Sequence, residues 1–307
     1  MKKSILIYTI ALTAMICWSL TFILYKVAYK YYHPFTLVFL RLLIATVFLE
    51  IIALFGKRDK IAKEDRKAFF LMAFFEPFLY FMGESFGLQY ISATVGAIMI
   101  AIIPLITPFF SWIVLKERVT LFGYLGAIVS FVGVYLTVSG DADSSHYLKG
   151  ILFMLLAVGA GLCYGLLVKP LSHKYSSFTI VRVQSTIGLV LFLPFFLIFD
   201  FSHFITVVPS LELVLTMLTM GIVASVFAYV LYTIAIRNIG LNNSTYFANL
   251  IPAFTAIEAY LILHEEFSTA KILGVALVVG GLFASQYFDF QAKRKRRKKE
   301  KALHLTR

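Results

Sequence analysis

Four ionisable side chains, Arg41, Glu76, Glu84 and Glu258, stand in runs otherwise built to avoid water. Two of them fall in AFFEPFLYFMGESFG, from Ala73 to Gly87. A charge at the centre of a bilayer costs roughly 2.5–3.5 kcal/mol on insertion scales, so such a group turns to a protein interior, pairs, or takes its neutral form. Helical geometry sets Glu76 and Glu84 about 80° apart around the axis, so both can face one cavity. The chemistry open to this set is proton exchange, recognition of a charged solute, or ion pairing between helices. Nucleophilic or metal chemistry would need a nucleophile–base pair or a ligand cluster, and no such spacing accompanies the carboxyls.

The elements that position these groups follow from composition. The chain has 307 residues, 60% hydrophobic and only 14% charged, with a mean hydropathy of +0.87. Soluble domains carry roughly 25% charged residues. So much apolar surface cannot be hidden inside one globule, which makes this an integral membrane protein. Cys17 and Cys163 both lie in apolar runs and read as buried free thiols, without a disulfide framework. The six histidines are scattered near helix ends, so no metal site is expected. Residues 5–28 are too long for the apolar core of a signal peptide, lack a small-x-small site after them, and read as a first membrane span.

A span needs about 20 mostly apolar residues. Ten fit the sequence: 5–28, 34–55, 68–90, 92–115, 119–139, 150–171, 178–199, 212–236, 242–263 and 270–289. With the N-terminus inside, 22 of the 28 Lys and Arg fall on the cytoplasmic side and 4 outside, while Arg41 and Arg182 lie within spans. Positive charge is retained in the cytoplasm. Both termini are therefore expected inside. The basic run Lys293 to Lys301 serves that topology and touches anionic headgroups; nothing folded accompanies it that would make it a nucleic-acid site.

A shift of 148 aligns Ile91–Gly133 with Ile239–Gly281 and matches nine positions, among them Pro104/Pro252, Thr107/Thr255, Glu117/Glu265, Gly126/Gly274 and Gly133/Gly281. Upstream, Cys17-Trp18 parallels Cys163-Tyr164, and Phe35-Thr36 parallels Phe178-Thr179. Five spans per half is an odd number, so the second half enters the membrane from the opposite side. The expected fold is an all-α membrane protein of ten helices in two inverted five-helix repeats: 1–140, then 150–289, then a basic cytoplasmic tail at 290–307. Inverted repeats are the architecture of secondary transporters, which bind solutes near the midplane.

These residues also carry a family resemblance. Cys17-Trp-Ser-Leu-Thr-Phe22 with Lys26 resembles the first span of EamA-type proteins of the drug/metabolite transporter superfamily. Phe39-Leu-Arg-Leu-Leu-Ile-Ala45 is similar to their second-span arginine motif, and Pro104, Lys116 to Thr120 and Gly126 to their fourth and fifth spans, repeated at Pro252, Glu265 and Gly274. The resemblance covers about 5–289. It implies a cavity lined by the first, third, fourth, sixth, eighth and ninth spans, and movement of small metabolites, usually outward. Ser19 stands where the family often has Gly, and Glu76 and Glu84 are not part of its general pattern.

Depth assigns roles. On an outward-running span Glu76 lies about 12 Å from the inner end and Glu84 about 9 Å from the outer end, while Arg41 lies about 10 Å below the outer surface. Arg41 and Glu84 are expected to pair as a structural clamp, with Glu258 a competing partner about 8 Å from the outer end. Glu76 shares its depth with no basic group. It reads either as a proton-coupling or substrate-binding carboxyl, or as a neutral acid bonded to a neighbouring helix. Glu117 and Glu265, at span ends, read as caps or cross-repeat contacts. Asn249, on the polar face of its span, and Trp18, Tyr80, Tyr164, Tyr229 and Tyr232 form a candidate lining, with packing as the alternative role of the aromatics. Pro104 and Pro252 break mid-span hydrogen bonding, as a static kink or a moving hinge. Gly83-x-x-x-Gly87 and Gly126-x-x-x-Ser130 fit close helix packing.

The expectation is a non-enzymatic, multi-pass secondary transporter of the plasma membrane (a bacterial inner membrane) without a cofactor. It would export a small metabolite, an amino acid or similar amphipathic solute, by alternating access with proton coupling. The alternatives are an importer or facilitator of a vitamin, sugar derivative or other small metabolite, and a membrane-embedded enzyme. Its partners would be the small-molecule substrate and membrane lipid, with a homodimer admitted and nucleic acid excluded.

Overall fold

Long apolar runs in a solvent without hydrogen-bonding capacity must satisfy their backbone internally, which favours helices. The computed structural model describes residues 2–56, 59–104 and 145–265, isolated positions at 106, 107, 110, 129, 132 and 133, and parts of 268–281. The described residues are helical, without strands. Among them, seven helices are long and apolar enough to cross a bilayer. They are α1 (Ile5–Ala28), α2 (Pro34–Phe55), α3 (Lys63–Tyr90), α5 (His146–Lys174), α6 (Ser177–Phe204), α7 (Leu211–Ile239) and α8 (Leu241–Leu263). Between α3 and α5 the shorter α4 (Ala93–Ile100) begins the expected fourth span, and Ile272–Gly281 falls within the expected tenth. Glu117, Gly126, Ser130, the basic tail and nearly all of the expected span 119–139 lie outside the described residues. Several helices run past their expected ends because their charged flanks, such as Lys63–Lys67 and Lys174, continue the helix into the interface.

The bundle is apolar outside as well as inside. Leu54, Phe55, Ile198, Phe199, Tyr260 and Leu261 are exposed, as a lipid-facing surface requires. The backbones of α3 and α5 approach closely. A Cβ at Gly83 would stand 2.5 Å from the Phe153 carbonyl oxygen and 2.7 Å from the Ala157 nitrogen, and one at Gly87 would stand 2.8 Å from the Met154 side chain. The Gly83-x-x-x-Gly87 spacing thus lies against α5, where small residues let two backbones approach. Cys17 and Cys163 are free thiols, half-buried rather than fully so.

Polar side chains tie the helix ends. At one end Asp65 accepts from Lys174 and from the Tyr175 hydroxyl, both at 2.8 Å, and Asp59 accepts from the Ser176 backbone at 2.9 Å. The Ser176 hydrogen bonds hold the Asp59 carboxyl below the usual carboxylate range. At the other end Lys26 donates to the Leu88 carbonyl in the last turns of α3, a cation where the helix dipole is negative. Asp200 caps α2 through the Thr36 N–H at 2.8 Å. The histidines, scattered in sequence, are not all apart in space: the His33 and His203 rings stack at 4.4 Å beside Asp200. Glu265 accepts from the Ala93 N–H at 3.1 Å and the Thr94 hydroxyl at 2.8 Å, so a carboxylate from beyond α8 caps the positive end of α4.

Two stretches 148 residues apart share a backbone pattern. A helix starts at Ala93 and another at Leu241; the first ends at Ile100 and tightens through Ala101 and Ile102, the second ends at Phe247 and tightens through Ala248–Leu250. The helix then resumes, and Pro104 and Pro252 fall at its second position. A proline there gives up an N–H that the tightened turn does not need.

Gly83→Ala should lower the stability of the folded protein by about 1–3 kcal/mol, the cost of overpacking a close contact. Gly159→Ala is the control, since a Cβ at Gly159 meets nothing within 4 Å. Thermal unfolding in one detergent compares the two, and equal midpoints would remove Gly83 from the α3–α5 contact.

Candidate functional site: a buried polar cavity

Arg41, on α2, is 1% exposed. A guanidinium there must be surrounded by acceptors and π-faces. Its Nε donates to the Ser225 hydroxyl, and its Nη1 reaches the Tyr25 hydroxyl at 3.2 Å and Glu84 Oε2 at 3.5 Å. The Phe81 ring lies 4.0 Å from the guanidinium carbon. Ser225 in turn donates to the Met220 carbonyl, which the widened turn over Thr219–Phe227 of α7 leaves available. One cation therefore holds α1, α2, α3 and α7 together. The structure brings Arg41 and Glu84 together but not Glu258. Glu258 accepts from the Ser19 hydroxyl on α1 at 2.9 Å, and its second oxygen has no hydrogen-bond partner among the described residues. Shared depth made Glu258 a candidate partner; its direction around α8 turns it to α1 instead.

Glu76 occupies a break in α3. Its backbone is extended, with φ −147° and ψ 116°, between helical residues on either side, and Pro77 follows. The break replaces regular α-helix with a widened turn over Phe74–Leu79. The carboxyl is 6% exposed and accepts a hydrogen bond from the Tyr229 hydroxyl of α7. Among the described residues it has no basic partner in hydrogen-bonding or ion-pair contact, whereas Glu84, two turns on, has Arg41.

Both carboxyls and Arg41 line one cavity, with about 70 Å³ of free interior in an envelope of about 730 Å³. α1 contributes Trp18, Thr21 and Phe22; α3 adds Tyr80 and Phe81; α4 and the residues after it add Ile100, Ile103 and Thr107. α5 supplies Gly161, Leu162, Tyr164 and Gly165, α7 Tyr229 and Tyr232, and α8 Leu241, Thr245, Ala248 and Ile251. These are the six spans that the resemblance implies, joined by α2 through Arg41. Trp18 meets Tyr229 and Tyr232 edge-on at 5.0 and 4.9 Å, and its Nε1 donates to the Ala224 carbonyl at 3.2 Å. The Tyr164 hydroxyl donates to Gln184 at 3.2 Å.

Asn249 is not in the lining. It is fully buried, and neither amide atom has a hydrogen-bond partner among the described residues. Over Ala248–Leu250 the helix tightens to three residues per turn, so residues three apart eclipse. Thr245, Ala248 and Ile251 then face the cavity in register, and Asn249 is turned away. Most of the polar face of α8 is spent locally: Asn243, Ser244 and Thr245 donate to carbonyls of the preceding turn. Pro104 and Pro252 flank the cavity without lining it, next to Ile103 and Ile251. Sequence reasoning missed Tyr25, Phe81 and Ser225 as the surroundings of Arg41. It also missed the threonines and glycines of the wall, which carry no charge to mark them.

A bundle of membrane-spanning helices around a buried cavity holding both signs of charge defines a multi-pass membrane protein with an internal cavity. Comparison gives the family. The model of the EamA-like transporter family matches residues 5–139 and again 148–286, and the chain belongs to that family. It is 28% identical over 252 residues to the uncharacterized transporter YetK of Bacillus subtilis (strain 168), covering 80% of this chain and 76% of that one. An uncharacterized transporter of Archaeoglobus fulgidus is 29% identical over 280 residues, 89% of this chain and 94% of its own. A crystal structure at 17% identity superposes with a TM-score of 0.70 over 91% of this chain and 98% of that chain, which shows the fold.

Arg41→Ala strands Glu84 in the interior and should cost about 3–5 kcal/mol of stability. Lys30→Ala removes an exposed pair with Glu212 at a helix end and should cost about 0–1 kcal/mol. Chemical or thermal unfolding of the two variants separates the effects. Equal losses would deny the Arg41–Glu84 pair its place as the clamp.

Proposed function

We propose that this chain is a secondary transporter of the plasma membrane that moves a small amphipathic metabolite by alternating access, with export as its direction and both termini cytoplasmic. Its two family-matched segments, 5–139 and 148–286, act as inverted five-helix repeats that rock about the cavity they share. Glu76 supports this reading above all: a buried carboxyl at a helix break, bonded only to a neutral tyrosine, inside a cavity lined from both segments. Ionisable groups inside membrane proteins mark solute and proton pathways. Arg41 and Glu84 serve as the clamp, while Trp18, Tyr80, Tyr164, Tyr229 and Tyr232 contact the solute. The tightened turns before Pro104 and Pro252 serve as hinges. A facilitator running in either direction is the neighbouring reading, and it would never accumulate solute above equilibrium.

Reconstitution into proteoliposomes, with and without an imposed pH gradient, tests the proposal. Transport should be driven by the gradient, and Glu76→Gln should reduce it at least tenfold and abolish the response to the gradient. Undiminished, gradient-driven transport by Glu76→Gln would take the coupling role from this residue.

A further inference from the structure

We infer that the solute is an organic cation, an amine or quaternary ammonium on an apolar or aromatic body, in preference to a zwitterion or an anion. This rests on the transporter reading of the cavity and names its substrate class. Three independent features of the cavity carry it. The first is charge: Arg41 and Glu84 offset one another at 3.5 Å, which leaves Glu76 as the carboxyl of the cavity in contact with no cation among the described residues. The second is the direction of the hydrogen bonds. Trp18 Nε1, the Tyr164 hydroxyl and the Tyr229 hydroxyl are donors in the wall, and each is already committed to a protein acceptor. The Nε and Nη1 groups of Arg41 are likewise engaged. Nη2 is what Arg41 has left to offer an anionic group, and it belongs to the guanidinium that Glu84 already offsets, whereas an ammonium needs only the acceptor that Glu76 presents. Tyr232 keeps its hydroxyl without a partner among the described residues, but one neutral group does not balance a carboxylate.

The third feature is the arrangement of the rings. Trp18 lies at 71° to Tyr229 and 62° to Tyr232, and Tyr164 at 83° to Tyr229. Rings set at steep angles do not stack away their faces on one another, and they wall a corner on more than one side. Aromatic faces carry negative quadrupole charge and attract a desolvated ammonium, most strongly at tryptophan. The ring corner and Glu76 are joined by Tyr229, which belongs to both. A zwitterion would place its carboxylate in the same space as Glu84 and Glu76, two like charges, against a guanidinium already offset by Glu84.

Purified full-length protein tests this with four probes that share a phenyl ring and two-carbon frame: phenethylamine, phenylalanine, phenylacetate and 2-phenylethanol, with tetramethylammonium as a bare head group. Specific binding raises the unfolding midpoint. Phenethylamine should stabilise the protein with an affinity at least tenfold above the other three phenyl probes, and tetramethylammonium should compete with it. Glu76→Gln and Trp18→Leu should each weaken phenethylamine binding by roughly tenfold, and Trp18→Phe by less. Should Glu76→Gln not fold, the Trp18 pair decides. Absence of a phenethylamine shift, equal stabilisation by phenylacetate or phenylalanine, or undiminished binding in Trp18→Leu each overturns the cation class. Proteoliposome flux keeps the two readings apart. Phenylalanine carried without phenethylamine binding overturns the cation class and leaves the transporter. Phenethylamine bound through Glu76 and Trp18 but never moved overturns the transporter and leaves the cation site.

Discussion

A guanidinium with almost no exposure, in the middle of a membrane bundle, constrains everything near it. Its desolvation is repaid only by close partners, and losing any one of them leaves charge stranded in a medium that cannot screen it. Arg41 meets that constraint with one element from each neighbour: Tyr25 on α1, Phe81 and Glu84 on α3, and Ser225 on α7. Four helices are thereby fixed in depth and rotation at one point. The clamp also sets the character of the cavity, because it neutralises Glu84 and leaves Glu76, on the same helix, to a tyrosine alone.

Regular α-helix has no spare hydrogen-bonding groups to offer a solute, so irregular backbone at membrane depth belongs where it is buried in protein or lines a cavity. Three irregular stretches follow that rule, while the widened turns over Phe196–Asp200 and Ala259–Leu263 lie toward helix ends, away from the cavity. α3 opens at Glu76, α7 widens over Thr219–Phe227, and α8 tightens over Ala248–Leu250. Each of these three lies against the cavity or the clamp. At Glu76 the extended residue sits in the wall of the cavity. In α7 the loosened Met220 carbonyl takes the Ser225 hydroxyl, which in turn receives Arg41. In α8 the tightened turn brings Thr245, Ala248 and Ile251 into line.

Depth along a helix was legible in the sequence and direction around it was not. Hydropathy located α1, α2 and α8 to within a residue or so, because the edge of the apolar run is the edge of the solvent. Equal depth brought Arg41 and Glu84 together on paper, as they are in space. Equal depth also nominated Glu258, which faces Ser19 instead, since two groups at one level meet only if their helices are turned toward each other. Asn249 failed for a related reason. Its position assumed 3.6 residues per turn, and a local change to three per turn rotated it out of the wall. Tyr229 was legible as a candidate for the lining, but its bond to Glu76 was not, because depth alone does not choose it among the 17 tyrosines of the chain. Glu265, by contrast, was readable as a cap, because a carboxylate at a matched position beside a span end has one obvious electrostatic use.

The contacts between the two family-matched segments are unequal in strength, and the inequality follows their position. In the middle, the Arg41–Ser225 and Tyr229–Glu76 bonds are buried, so breaking either would leave a polar group in a low-dielectric interior. At the ends, the Lys174–Asp65 pair, the Ser176–Asp59 bond and the Lys30–Glu212 pair at 3.9 Å reach water, where such contacts are worth about 0–1 kcal/mol, whereas the Asp200–Thr36 bond is buried. Water replaces the partners of an exposed pair at little cost, so the end held by Asp59 and Asp65 can part while the middle stays closed, whereas parting the other end must also release Thr36 from Asp200. The proposed alternating access has its fulcrum in the costly centre, and the two ends differ in what it costs to open them.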